Sequence, residues 1–491
     1  MRRSSILSLA AVSLLVVACS SGGSITDSGG ATTAAPTVQG TDGATTTAAP
    51  TTAVPAETLP DCPTAKPAGP VEISFWHGMS GPLGEELTRL TDAYNASQSL
   101  VKVNLVQDSY EGTADNYFAA SQADRPDLVQ LPEYQVQAMV DTESTVPVGK
   151  CIESSGFDTS KFLPTALAAY ATAGVQWAMP FNLSNPVLFY NKKMFAAAGL
   201  DPDKPPTSLE EMRSMSKQIV DSGVATYGLA LESGFDSGGG WYVEQWFCKA
   251  GEFYVDGDNG RTTRATKVLY DNQAGVDLMT FLQQMLNDKL AVNVGDNSAS
   301  GYDNLLKMAD EKEPAAMTIN TSASLGPVLQ VLGTGQFPQI TGDDVGVGPM
   351  PGPDGKPGAL IGGAALWVVN SGDADRTAAA WDYLTYLVGA QQQSDWAVAT
   401  GYVPVRTDAL ETDPYKSTVA ADPRFAVAYQ QLLDTPDAPT SAGPVVGPLR
   451  EVRTVLASAV ASIFAGADPT TALKDAAAQA NSLIADYNSR N

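Results

Sequence analysis

Histidine is nearly missing from this sequence: its 491 residues include one, His77. That leaves no obvious imidazole base for a serine or cysteine nucleophile, and there is no G-x-S-x-G elbow to present the serine. Basic side chains are scarce too, with 29 Lys and Arg against 54 Asp and Glu and a net charge of −25. So acidic a surface argues against nucleic acid, whose phosphates need a basic footprint, and suits a protein outside the cytoplasm. Past the N-terminus no apolar run is long enough to cross a bilayer. No metal or cofactor is expected. Asp256, Gly257, Asp258, Asn259 and Gly260 begin like a calcium loop, but the sixth position is Arg261 instead of glycine and no glutamate stands at the twelfth. A tight hairpin turn is the expectation there.

What is present starts at the N-terminus. Arg2 and Arg3 precede an apolar stretch over residues 6–17 that leads into Val16, Val17, Ala18 and Cys19. This has the form of a lipoprotein signal, with residues 1–18 removed and Cys19 diacylated at the membrane surface; the alternative is an ordinary secretory signal with an incidental cysteine. Residues 19–69 follow as Ser, Gly, Thr, Ala and Pro, too poor in large apolar side chains to fold. They are expected to act as a disordered tether. Roughly four hundred residues remain, more than one core usually holds, so two domains are expected.

From residue 71 the pattern reads strand (71–76), helix (83–95), strand (101–107), helix (114–123) and strand (127–131). Leu83, Leu87, Leu90 and Tyr94 fall on one face of the first helix. Such an order begins a doubly wound α/β lobe whose cleft lies at the carboxyl ends of the strands. Tyr110 and Glu133 each follow a predicted strand, which places both at that rim.

Residues 179–212, MPFNLSNPVLFYNKKMFAAAGLDPDKPPTSLEEM, have the local form of turn, strand, helix, loop and capped helix. Their P-F-N-x-S-x-P-V-L-x-Y-N-K run resembles the crossover segment of the solute-binding proteins that serve ABC importers, the glycerol-3-phosphate and oligosaccharide binders above all. FWHGMSGPLG at 75–84, ALIGGAALWVV at 359–369 and T-G-Y-V-P at 400–404 resemble further landmarks of that family. The resemblance implies a two-lobed, type II-like periplasmic-binding fold, with a mixed sheet and flanking helices in each lobe. Residues 71–183 and 321–368 would form lobe 1, and 184–320 and 369–491 lobe 2. Three crossings, near 181–186, 319–325 and 366–371, would make the hinge.

It also implies a ligand set of Tyr110, Glu133, Ser184, Trp241, Ser322, Gly363 and Tyr402. The acid and hydroxyls would bind polar groups, and Trp241 and Tyr402 would form walls. Ser324 would cap the helix that starts there, and His77 would fix the turn after the first strand. With Cys19 lipidated, three cysteines remain. Cys62 and Cys151, both at the periphery of lobe 1, are the preferred disulfide, leaving Cys248 as a buried thiol.

The implied protein is not an enzyme. It is a monomeric, membrane-anchored lipoprotein on the extracytoplasmic side that hands a small polar solute to ABC permease subunits. One departure bears on the solute: the G-L-R-L-G segment of the glycerol-3-phosphate binders aligns with Gly443–Gly447, putting Val445 where they have arginine. A neutral di- or oligosaccharide is therefore the alternative to a glycerophospho compound. A secreted glycoside hydrolase is a distant alternative, for which no second cleft acid is found.

Overall fold

The computed structural model describes residues 59–297 and 301–491. The signal segment and Cys19 lie outside those residues, as does the tether up to residue 58.

Two sheets organise the rest. In the first, the strands run in the spatial order Val101–Gln107, Val71–His77, Leu128–Pro132, Gly362–Val369, Thr145–Val146, and Met179–Ser184 also pairs with Gly362–Val369. The opening strands are parallel, joined through the helices Gly81–Ser97 and Tyr110–Ala119, while Gly362–Val369 runs antiparallel to its neighbours. The second sheet has the order Ala291–Asn293, Tyr227–Leu231, Ala315–Thr321, Pro186–Asn191, Val345–Pro349. Each sheet has its own hydrophobic core, one around Phe75, Leu128, Trp367 and Trp396, the other around Met212, Leu229, Phe247 and Leu456. This is the two-lobed mixed α/β architecture that the sequence implied.

The chain first crosses between sheets at Asn185, the residue between Met179–Ser184 and Pro186–Asn191. A residue before proline is held to extended backbone, so the strand direction carries straight through. Asn182 and Ser184, expected in a turn, are strand residues instead. Asn185 is fully buried; its amide donates to Ala428 O at 2.8 Å and accepts from Gln431 Nε2 at 3.0 Å.

The return crossing differs from the expected 366–371. Val345–Pro349 pairs antiparallel with Pro186–Asn191 in the second sheet, so the chain must change sheets between residues 350 and 361. Leu366 to Val369 lie well inside the first sheet. The apolar run ALIGGAALWVV spans the boundary without a break in hydrophobicity, so the pattern does not mark the crossing. Gln245 clamps the crossing, accepting from Leu360 N at 2.7 Å and donating to Leu360 O at 3.2 Å.

The expected lobe boundaries shift accordingly. Val345–Pro349 is a second-lobe strand inside 321–368. Within 369–491, helix Ala374–Leu387 packs on the first sheet and Ala390–Thr400 on Gly81–Ser97. Helix Val427–Leu433 packs on the second sheet, and Leu449–Phe464 and Pro469–Asn488 pack on Gln273–Asn287. An amphipathic pattern shows which face of a helix is buried and not which sheet covers it.

Cys62 and Cys151 form a disulfide, closing a sequence separation of 89, and Cys248 is a buried free cysteine. His77 accepts from Met79 N–H through Nδ1 at 3.2 Å, and burial lowers its pKa to about 4. Asp256–Gly260 is a short left-handed turn beside the bridge between Val255 and Val268.

Candidate ligand-binding site

Strand ends meet at one edge of the first sheet. Pairing of Ala364 with Pro132 and of Gly362 with Ser184 brings Glu133, Gly363 and Ser184 to that edge. Gly363 has φ +94°, and a Cβ there would lie 1.9 Å from Asn182 O, so only glycine fits. At Gly362 a Cβ would lie 2.2 Å from the Trp241 ring, which packs directly against the backbone there. Trp241 opens the second-lobe helix Trp241–Ala250; the glycine pair therefore seats a side chain of one lobe on a strand of the other.

Tyr110 arrives from the opposite side of the edge. It starts helix Tyr110–Ala119 behind the N-cap Ser109, whose side chain accepts from Gly112 N. Gly78 lets it approach, since a Cβ there would lie 2.6 Å from Tyr110 Cα. Tyr110, Tyr134, Tyr170 and Tyr402 are close enough to Glu133 to feel its charge. Burial, reinforced by Tyr402 and Glu133, drives the Tyr110 phenol well above its ordinary pKa. Burial pushes Tyr402 up to about 12, and the neighbouring Asn182 side chain opposes the rise. Tyr402 stacks on Trp396 with ring centroids 5.9 Å apart and planes at 14°.

Arg453 forms the electrostatic centre. This side chain, 2% exposed, donates from Nη1 and Nη2 to Glu133 Oε1, each at 3.0 Å. It also donates to both Glu244 oxygens, from Nε at 2.6 Å and Nη2 at 2.7 Å. Burial raises the Glu133 pKa to about 7 against the pull of Arg453, and Glu244 adds to the rise. Three buried donors in the surrounding wall, the Tyr134 and Tyr170 hydroxyls and Trp241 Nε1, have no hydrogen-bond partner among the described residues. Buried donors of this kind are costly unless something accepts from them.

Residues 89–425 match the family of bacterial extracellular solute-binding proteins. This chain belongs to that family. It is 30% identical over 434 residues to the sn-glycerol-3-phosphate-binding periplasmic protein UgpB of Pectobacterium atrosepticum, covering 84% of this chain and 91% of that protein. Among solved structures, UgpB from Mycobacterium tuberculosis in complex with glycerophosphocholine shares the fold, with a TM-score of 0.69 and 22% identity over 85% of this chain and 99% of that one. The cyclic α-maltosyl-1,6-maltose binding protein of Arthrobacter globiformis is similar at TM-score 0.68, 22% identity, and 85% and 99% coverage. The function that goes with membership is solute binding outside the cytoplasm for an ABC importer.

Set in this solute-binding protein, Tyr110, Glu133, Tyr402, Gly363 and Ser184 gather along the first-lobe edge, and Trp241 covers Gly362. Ser322 lies at the crossing: its Oγ accepts from Asn185 N at 3.3 Å and its N–H donates to Asn185 O at 2.9 Å. Ser324 makes no capping bond and donates to Asn320 Oδ1 at 2.8 Å, while Thr321 supplies the cap acceptor. Glu244, Tyr134 and Tyr170 were not singled out from the sequence. Arg453, on the helix that follows Gly443–Gly447, takes the central place. The one signal was position: Tyr134 directly follows Glu133.

Val445 is buried, 2% exposed, and donates its N–H to Asn259 O at 2.8 Å. No guanidinium enters from that position.

Proposed function

We propose that this protein captures a small polyhydroxylated solute of the glycerophosphodiester class between its lobes and delivers it to the permease subunits of an ABC importer. The observation that carries the reading is Arg453, a buried guanidinium held between Glu133 of one lobe and Glu244 of the other, ringed by buried donors without partners. A phosphodiester oxygen suits the guanidinium, and glycerol hydroxyls suit Glu133 and the phenols. Tyr110, Glu133, Ser184, Trp241, Ser322, Gly363 and Tyr402 are the contact set, with Arg453 added. Two carboxylates stand against one guanidinium here, which disfavours a dianion such as glycerol 3-phosphate and favours a zwitterion.

That same charge balance supports a second reading, a neutral di- or oligosaccharide, with the absence of arginine at 445 on its side. Calorimetric titration with glycerophosphocholine, glycerol 3-phosphate, maltose and trehalose separates the two. Micromolar binding of the zwitterion supports the first, and binding of a sugar alone replaces it with the second. Release of reducing ends from a glycoside would overturn both in favour of an enzyme.

The protein acts as a monomer tethered to the outer face of the membrane through diacylated Cys19. Blocking the lipoprotein signal peptidase should then leave an unprocessed precursor in cells.

A further inference from the structure

Two stretches take no part in the cleft: the segment 443–447, with Val445 at its centre, and the left-handed turn Asp256–Gly260. They pack on each other. Val445 N–H donates to Asn259 O at 2.8 Å, and a Cβ at Gly260 would lie 2.0 Å from Val445 O. Asp256 fixes the far end of the turn, accepting from Thr266 N at 2.7 Å and Lys267 N at 3.1 Å. A Cβ at Gly447 would lie 2.0 Å from the Tyr487 ring, so this glycine seats a side chain of the last helix, Pro469–Asn488.

From this block two arginines reach the first lobe. Arg261 donates from Nη1 to Ala168 O at 2.7 Å and Ala171 O at 2.8 Å, around the end of helix Pro164–Ala169, and from Nε to Gly443 O at 2.9 Å. Carbonyls at a helix end have no partner within the helix, and a guanidinium satisfies them. Arg264 forks onto Asp141, from Nη1 at 3.0 Å and Nη2 at 2.6 Å, and the Tyr487 hydroxyl donates to the same carboxylate at 2.8 Å. Asp141 is the last residue of helix Val136–Asp141, where the helix dipole disfavours an anion. Its own helix gives it no stabilising partner of opposite charge; the second lobe does.

We propose that Asp141, Arg264 and Tyr487 form a clasp outside the solute cleft that holds the lobes closed in the absence of solute. The carboxylate belongs to the first lobe and both donors to the second, so the three bonds exist only while the lobes are together. Burial separates this pair from an ordinary surface one. The Asp141 side chain is 10% exposed, whereas Asp115, the partner of Arg450, is 63% exposed, and exposed pairs are screened to little net effect. The clasp makes no bond to Tyr110, Glu133 or Tyr402, so its effect is independent of which solute the cleft accepts.

The test is small-angle X-ray scattering of the mature protein with no solute added, after unfolding and refolding with the disulfide intact to strip any carried over. The wild type should scatter as the compact, closed form. Asp141→Asn and Arg264→Met should each lower the ratio of closed to open molecules about tenfold or more, as loss of hydrogen bonds to a charged group does, and raise the radius of gyration. Tyr487→Phe, which removes one bond and keeps the ring on Gly447, should act in the same direction. Circular dichroism unchanged from the wild type separates opening from loss of fold. Exchanging the charges, Asp141→Arg with Arg264→Asp, should restore the compact form. A wild type that is open without solute overturns the inference, as do single variants that stay as compact as the wild type or an exchanged pair that stays open. Such a failure leaves the cleft reading standing, because no solute enters the measurement.

Discussion

Glu133 and Arg453 lie 320 residues apart and meet as a buried ion pair, both guanidinium Nη atoms donating to one carboxylate oxygen at 3.0 Å. Glu133 follows the first-lobe strand Leu128–Pro132 and Arg453 sits on a helix packed in the second lobe, so the pair spans the cleft. Further out, Arg450 reaches Asp115 at 2.8 Å, and Arg264 reaches Asp141 at 2.6 Å, across the same lobes. These contacts hold the lobes together in the structure described, and a solute would compete with the innermost of them.

Removing Arg453 should destabilise the protein strongly. Arg453→Met leaves Glu133 and Glu244 buried without a counter-charge, and breaking a buried pair in this way costs about 3–5 kcal/mol. Adding Glu133→Gln and Glu244→Gln should recover most of that loss. Urea unfolding of the single and triple variants checks it, and a triple variant no more stable than the single one would refute the charge argument.

Solute affinity should rise with pH up to about 7. The Glu133 pKa is raised from 4.5 to about 7, so below about pH 7 this carboxyl of the empty protein holds a proton that a hydroxyl-donating solute must displace. Binding therefore releases a proton below pH 7 and levels off above it. Stability follows the opposite course: the folded chain binds the proton more tightly than the unfolded one, so this contribution is present at acid pH and lost as pH rises through about 7. Titrations from pH 5 to 8 should show the slope in the wild type and none in Glu133→Gln.

Gly362→Ala and Gly363→Ala should each impair the cleft, for different reasons. The first sets a methyl 2.2 Å from the Trp241 ring and pushes it aside. The second places a methyl against Asn182 O at a φ that disfavours side chains, a strain of about 1–3 kcal/mol. Trp241 fluorescence is expected to shift in the first variant and stability to fall in both. Unchanged spectra and melting would mean that the edge tolerates a side chain.

Reducing Cys62–Cys151 should lower stability by about 2–5 kcal/mol, because the bridge closes a long loop in the unfolded chain. A Cys62→Ser, Cys151→Ser variant should melt lower than the wild type by differential scanning calorimetry. The wild type in reductant should match it, since Cys248 is buried and unpaired.

Much of the fold was legible in the sequence because its signals are local. Alternation and spacing mark the strand Val71–His77 and the helix Gly81–Ser97. Ser208 and Glu211 form the capping box that their spacing announces. Short motifs also carried the family and, with it, Glu133, Tyr402 and Gly363 as candidate contacts. The return crossing was not legible: residues 359–369 are apolar throughout, and hydrophobicity does not report which of two sheets a strand joins.

What the sequence determined by itself is the set of elements, the two-lobed family, and the residue types a polar cleft requires. The tertiary structure alone decided which helices serve which lobe, that Ser322 ties the crossing to Asn185, and that Arg453 is shared by Glu133 and Glu244. Those facts depend on contacts between residues hundreds of positions apart. A guanidinium finds its partners through packing in three dimensions, and no periodicity along the chain encodes that distance.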